Sequence, residues 1–232
     1  EPSCAPALLD RATVAGAIVR RTGDGMLARV VDTVTPQGVA AVARFAPTDP
    51  DEALASAGPL ALVLVGVTDP GNAGTLLRSA EAAGAGAVVL CDGSVDPYGP
   101  KCVRSSAGAV FRLAVSREGE WAAVRAALAR LGVPSVASLA RGAQAYDAVD
   151  LTGPVALVLG NEAHGLPEEV SATVDGAVTI PMAGRAESLN VGMAGTVLCF
   201  EALRQRRAGD RRAEQANQLD ETPPRAAGCR TT

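Results

Sequence analysis

At 232 residues the chain has room for one large domain, or for one large domain and a small one. It is 48% hydrophobic, 20% charged and only 3% aromatic, so a globular core of small side chains is expected, and no apolar run approaches the ~20 residues of a membrane span. A net charge of −4 lacks the overall basic excess of a nucleic-acid binder, although bases gather locally at Lys101 and Arg104 and between Arg204 and Arg212.

In chain order, residues 1–46 carry short apolar runs, Ala15 to Val19 and Val39 to Phe45, around a turn-like Gly23-Asp24-Gly25. They read as a small α/β piece or the tail of a larger unit. The opening Glu1-Pro2-Ser3-Cys4 is neither an initiator Met nor a basic-then-apolar leader, so a trimmed piece without a signal peptide is expected. Residues 47–59 read as a linker, with Pro47, Pro50 and acidic neighbours. Leu60 to Val67 is continuously apolar, as a strand covered on both faces should be. A turn at Asp69-Pro70-Gly71-Asn72 follows, then a helix over about 73–83 that stops at Gly84.

The alternation continues with strands at 87–90, 111–115, 135–139, 155–159 and 178–180. Helices are expected near 101–106, over 121–131, from Pro167 to Thr173, and over 189–207 with its start marked by Ser188 or Asn190. Residues 208–232 turn polar and Pro-rich and are expected to be disordered. Alternating strands and helices over 60–207 imply a mostly parallel sheet with helices on both faces.

The five cysteines form no Cys-x-x-Cys pair, and Cys91, Cys102 and Cys199 lie among apolar neighbours. They read as small core residues in a reducing cytoplasm, with no disulfide framework and no metal site. Neither Gly-x-x-x-x-Gly-Lys-Ser/Thr nor a Gly-x-Gly-x-x-Gly after a first strand is present. His164, the single histidine, has no nucleophile-elbow sequence near it and reads as a hydrogen-bonding loop residue rather than a catalytic base.

Polar residues concentrate in three islands at strand ends, where α/β sheets place ligands. They are Asn72-Ala73-Gly74-Thr75-Leu76-Leu77-Arg78, Gly160-Asn161-Glu162-Ala163-His164-Gly165, and Ile180-Pro181-Met182 through Ser188-Leu189-Asn190. In this order and spacing they resemble the three motifs of the SpoU or TrmH family of RNA ribose 2′-O-methyltransferases. Arg104-Ser105-Ser106-Ala107-Gly108-Ala109 is similar to a family segment between the first two motifs. Val34-Thr35-Pro36-Gln37-Gly38-Val39 is similar to the end of the small domain, related to a ribosomal protein, that often precedes the catalytic one.

The resemblance implies a trefoil-knotted α/β domain, an S-adenosylmethionine pocket within the knot, a homodimer and an RNA substrate, ribosomal RNA before transfer RNA. It assigns Arg78, Asn72, Glu162, Ser188 and Asn190 to the catalytic site. Gly160, Ile180 and Leu189 match positions whose backbone holds the adenine end of the cofactor. By the same resemblance Arg78 activates the ribose hydroxyl; a guanidinium gives up a proton reluctantly, and the alternative is that it grips phosphate and orients the ribose. Asn72 reads as a ribose or backbone organiser or as a turn residue. Gly74 reads either as a close approach to ligand or as close packing. Glu162 reads as an anchor for Arg78 or for the active-site loops. Lys101 and Arg104 are candidate RNA-phosphate contacts. Two other readings stay open: a non-catalytic RNA-binding or assembly protein on the same fold, and an α/β enzyme that holds another nucleotide at the Asn72 loop.

Overall fold

The computed structural model describes residues 6–23, 25–31, 38–44 and 48–220, with the backbone alone for residue 118 and residues 213–220. It divides into two units, residues 1–46 and residues 47–232. In the first, α1 spans Pro6–Val14 and a single 3-10 turn spans Leu27–Arg29. No strand occurs there among the described residues, and none of those residues is buried. Asp24, residues 34–37 of the family-like segment, and Pro47 of the expected linker lie outside the described residues.

The second unit begins with α2, Pro50–Ala55, where a linker was expected. Asp49 accepts the Asp51 N–H at 2.8 Å, Pro50 opens the first turn, and Ala53 and Leu54 are buried. There follow β1 (Leu60–Leu64), α3 (Pro70–Ala82), β2 (Ala87–Cys91), α4 (Pro100–Ser105), β3 (Ala114–Gly119), α5 (Trp121–Leu131) and β4 (Ser135–Ser138). The chain closes with β5 (Gln144–Ala145), β6 (Val155–Leu159), α6 (Glu168–Ser171), β7 (Gly176–Thr179) and α7 (Val191–Asp220).

The seven strands form one sheet in the order β3-β2-β1-β6-β4-β7-β5, every pairing parallel. The apolar runs explain its centre. In β1 and β6 every residue is buried, in register from Leu60 opposite Val155 to Leu64 opposite Leu159. Alternation along β1 sends Leu60, Leu62 and Leu64 to the face covered by α3, α4 and α7, and Ala61 and Val63 to the face covered by α2, α5 and α6. Cys102 and Cys199 lie in the first core and Cys91 in the second, all with free thiols. Burial pushes those thiols up to about 11, 12 and 12 respectively, so they stay protonated and pack as small apolar groups.

Three boundaries differ from expectation for local reasons. Helix α3 starts at Pro70, because Asp69 accepts the Asn72 N–H at 2.9 Å and caps it, so Asn72 lies in the first turn rather than before it. Residues 109–111 form a 3-10 turn, and β3 begins only at Ala114. Helix α7 runs on to Asp220, well past the end expected at Arg207, and residues 221–232 lie outside the described set.

Gly74 is where α3 meets α4. A Cβ there would run into the Ser105 hydroxyl and come within 2.7 Å of the Cys102 carbonyl. Of its two readings, then, close packing is the one the structure shows. Ser105 Oγ in turn donates to carbonyls of both helices, Pro70 O at 3.1 Å and Lys101 O at 2.9 Å. Gly74→Ala is expected to cost about 2 kcal/mol of stability by overpacking, read as a lower urea midpoint with unchanged slope.

Candidate functional site

The loops after β1, β6 and β7 leave the sheet at its carboxyl edge, where an α/β sheet presents its ligands. Each carries or leads into one of the polar islands, the first of which lies on α3, and side-chain amides join them. The Glu162 carboxylate accepts from the Asn72 amide at 3.0 Å, from the Asp69 N–H at 3.1 Å, and from the Thr68 N–H and hydroxyl at 3.3 Å each. Asn72 Oδ1 accepts from the Asn190 amide at 3.0 Å. Asn190 Oδ1 accepts from the Gly192 N–H at 2.9 Å and the Met193 N–H at 3.3 Å, capping α7. Of the two expected cap residues, Asn190 is the one that caps.

This chain of bonds has one possible direction. The carboxylate can only accept, so it turns the Asn72 NH2 towards itself. The helix N–H groups can only donate, so they turn the Asn190 oxygen towards themselves. Both amides are thereby set from outside, and each keeps one N–H that these bonds do not use.

Burial pushes the Glu162 carboxyl up, but the hydrogen bonds from Asn72, Asp69 and Thr68 outweigh it and hold the group below the ordinary glutamate range. A carboxyl whose folded-state pKa is lowered stabilises the fold above its unfolded value and loses that contribution as pH falls through the folded value. Glu162→Gln is therefore expected to cost about 1 kcal/mol at neutral pH, below the ~1.5–3 kcal/mol of charge-assisted bonds because the residue is exposed, and less at pH 3 than at pH 7. Urea titrations at pH 7 and pH 3 check both halves.

Glu162 thus anchors the loops, and no bond joins it to Arg78. Arg78 lies one turn beyond Gly74 and Thr75 on α3, exposed, with no hydrogen bond or ion pair among the described residues. Arg104 on α4 is likewise exposed and without such a partner among them. Lys101 is not free: its Nζ sits 3.1 Å from Asp69 Oδ2. The Asn72 N–H, and after it the Lys101 contact, hold the Asp69 carboxyl below its ordinary range. The pair is half exposed and adds no more than about 1 kcal/mol.

Beside Glu162 is a cavity of about 290 Å³. Gly160, Ile180 and Leu189 line it, as do Glu162 and Ser188, so the three cofactor candidates and two of the catalytic candidates meet at one cavity. Leu139, Leu159 and Val191 add apolar lining, and Asn161, Glu162 and His164 add polar lining. Gly160 allows that loop to fold back on itself: a Cβ there would press on the Gly165 and Leu166 backbone, where the Gly165 oxygen lies 2.6 Å away. Asn161 and Gly165 close the loop with reciprocal backbone bonds of 2.9 Å. His164 is the loop residue it was expected to be, with Nδ1 3.1 Å from Asn161 Oδ1.

Thr68, Asp69 and Asn161 escaped the sequence reading. Asp69, directly before a proline and three residues from Asn72, carries an N-cap pattern that in sequence looks no different from a plain turn. Asn161 has no signal of its own beyond its place between Gly160 and Glu162.

Residues 59–200 match the model of the SpoU rRNA Methylase family. The chain is 36% identical over 171 residues to the 23S rRNA (guanosine(2553)-2′-O)-methyltransferase RlmP of Bacillus subtilis, covering 74% of this chain and 66% of that protein. It is 40% identical over 197 residues to the 23S rRNA (guanosine-2′-O-)-methyltransferase RlmB of Xanthomonas axonopodis pv. citri, covering 82% and 79%. Its structure is similar to the AdoMet-bound rRNA methyltransferase from Sinorhizobium meliloti, with a TM-score of 0.71 at 29% identity over 85% of this chain and 76% of that one. The chain spans between 51% and 79% of the length of the first curated relatives it matches.

Proposed function

The chain belongs to the SpoU rRNA methylase family, and on that premise we propose that it methylates a ribose 2′-hydroxyl of RNA, ribosomal before transfer RNA, with S-adenosylmethionine as donor. The observation that carries this reading is the directed chain Glu162–Asn72–Asn190, joined through Glu162 to a cavity whose lining holds Gly160, Ile180 and Leu189.

The residues present fit the cofactor. The cavity is at the lower end of the ~300–1,000 Å³ range of small-molecule pockets. Its apolar side, with Ile180 and Leu189, suits a flat adenine, while the backbone groups of the loops at 160 and 180–189 supply hydrogen bonds to the ring edge. When bound, S-adenosylmethionine supplies an electrophilic methyl group next to a positive sulfur. The protein's share is to place the acceptor oxygen in line and to exclude competing geometries.

Asn72 and Asn190, their amide orientations fixed, offer N–H groups to ribose oxygens. Ser188, exposed at the cavity rim, adds a hydroxyl. Arg78 reaches from the exposed strip of α3 to the reacting nucleotide, where its fork holds the adjoining phosphate and orients the ribose; proton removal by the same guanidinium is the competing role. Arg104 binds phosphate further along the RNA, and Lys101 joins it by exchanging Asp69 for phosphate.

The acting species is a cytoplasmic homodimer. Met193 and Phe200, exposed two turns apart on α7, support a second copy there. No helix among the described residues is long and apolar enough to cross a membrane. The placement of β4 between β6 and β7, with the chain visiting β5 at the far edge first, supports a trefoil knot over the last strands. Residues 1–46, a unit of their own, fit a small RNA-binding domain.

The test is to incubate the protein with labelled S-adenosylmethionine and bacterial RNA lacking its native methylation. The products are then hydrolysed with alkali. Label in alkali-resistant dinucleotides supports ribose methylation, because a 2′-O-methyl blocks cleavage at its own linkage. Label in mononucleotides would mean base methylation and sink the reaction proposed. No label, with a chain extended upstream giving none either, would leave RNA binding without catalysis.

A further inference from the structure

The loop after β6 ends in a histidine whose tautomer its neighbours determine. Asn161 Nδ2 donates to the Gly66 carbonyl at 2.8 Å, which turns Asn161 Oδ1 towards the tip of the loop. There Oδ1 accepts from the Ala163 N–H at 2.9 Å and the His164 N–H at 3.1 Å. The third group on that oxygen is His164 Nδ1, at 3.1 Å. An amide oxygen only accepts, so the ring nitrogen bonded to it must donate, and Nδ1 carries the proton. The neutral ring is then left with Nε2 as an unprotonated acceptor.

His164 lines the cavity together with Asn161 and Glu162. The lining thus combines apolar side chains with an imidazole acceptor and a carboxylate. Such a lining suits a ligand that joins an apolar part to a positively charged group rich in N–H donors. Of the parts of the cofactor read for this site, the adenine matches the apolar side chains and the α-ammonium of the amino-acid tail matches the acceptors.

We propose that His164 is a specificity-determining residue that accepts a hydrogen bond at Nε2 from the α-ammonium of the cofactor's amino-acid tail, so that the protein selects ligands carrying that tail. This rests on the cofactor reading above. It assigns the tip of the loop a task separate from the amide chain: Glu162 accepts from Asn72 and the Asp69 N–H, and His164 holds the tail of the cofactor.

The experiment is calorimetric and needs no RNA. S-adenosylhomocysteine carries the amino-acid tail, and 5′-methylthioadenosine has the same adenosine and sulfur without it. Wild type is expected to bind the first at least 10-fold more tightly than the second. His164→Ala should weaken S-adenosylhomocysteine about 10-fold, the worth of one hydrogen bond to a charged group, and leave methylthioadenosine within about 2-fold. His164→Gln, whose amide oxygen reaches the position of Nε2, should recover most of the loss.

A ratio of the two affinities that His164→Ala leaves unchanged overturns the assignment. If both ligands weaken together, the ring serves only to shape the loop; if neither does, it is a bystander. Failure of the wild type to bind either ligand would instead remove the cofactor reading on which the assignment stands. The exposed ring makes a folding defect easy to separate, since thermal melts of all three proteins should agree.

Discussion

Gly160→Ala is expected to abolish measurable cofactor binding while the sheet survives. The added methyl would press on the backbone between Gly165 and Leu166, and backbone cannot step aside as the end of a side chain can. The loop must open, and opening it breaks the paired 2.9 Å bonds between Asn161 and Gly165 and moves the cavity wall that both residues share. Overpacking of this kind costs about 3 kcal/mol, which for a domain of this size lowers Tm by roughly 6–12 °C. S-adenosylhomocysteine affinity should fall by at least about 100-fold, because a site displaced by an ångström loses several contacts together. Calorimetry and thermal melting separate the two effects. A variant that melts like the wild type and binds normally would show that the loop has a second way to close.

Arg78→Ala has the opposite signature. The side chain is exposed and has no partner among the described residues, so stability should stay within about 0.5 kcal/mol of wild type and cofactor affinity within about 2-fold. Methyl transfer should nevertheless fall by about 10²–10³ in kcat/KM, the usual loss when a positioned polar group is removed from the reacting centre. Arg78→Lys distinguishes the two roles. If the guanidinium orients phosphate and ribose through its fork, lysine keeps the charge, loses the geometry, and recovers less than about 10-fold of the loss. Near-complete recovery would mean that charge or proton transfer is what counts. Normal activity in Arg78→Ala would remove it from the site altogether.

Much of this architecture is legible in the residues themselves. Leu60–Leu64 and Val155–Leu159 are apolar at every position, and strands of that kind occur only at the centre of a covered parallel sheet. Trp121–Leu131 ends at Gly132, whose φ of +66° is the left-handed cap the sequence announces. What could not be read depends on distant partners. Asn190 meets Asn72 across 118 positions, and no local pattern shows that the two amides share a bond. Gly74 is the same glycine in the sequence whether a ligand or α4 approaches it; only Ser105, brought in by the fold, decides. Strand β5 has two residues and exists because β7 offers it an edge. The polar stretch after Arg207 has the composition of a tail, yet it continues the helix, since Arg and Glu are good helix formers once a packed helix precedes them.

The amide chain also has a consequence for how the molecule is made. Its links join residues 90 and 118 positions apart, so closing them comes late in any order of folding. A ribosome that has released β1, β2 and β3 has delivered three of the seven strands but only Asn72 of the three linked side chains. Glu162 arrives with the loop after β6, and Asn190 is fixed only when Gly192 and Met193 have emerged to be capped. The emerging chain therefore holds two open sheet edges and an unfinished site for most of its synthesis, and it becomes competent to bind in a single late step.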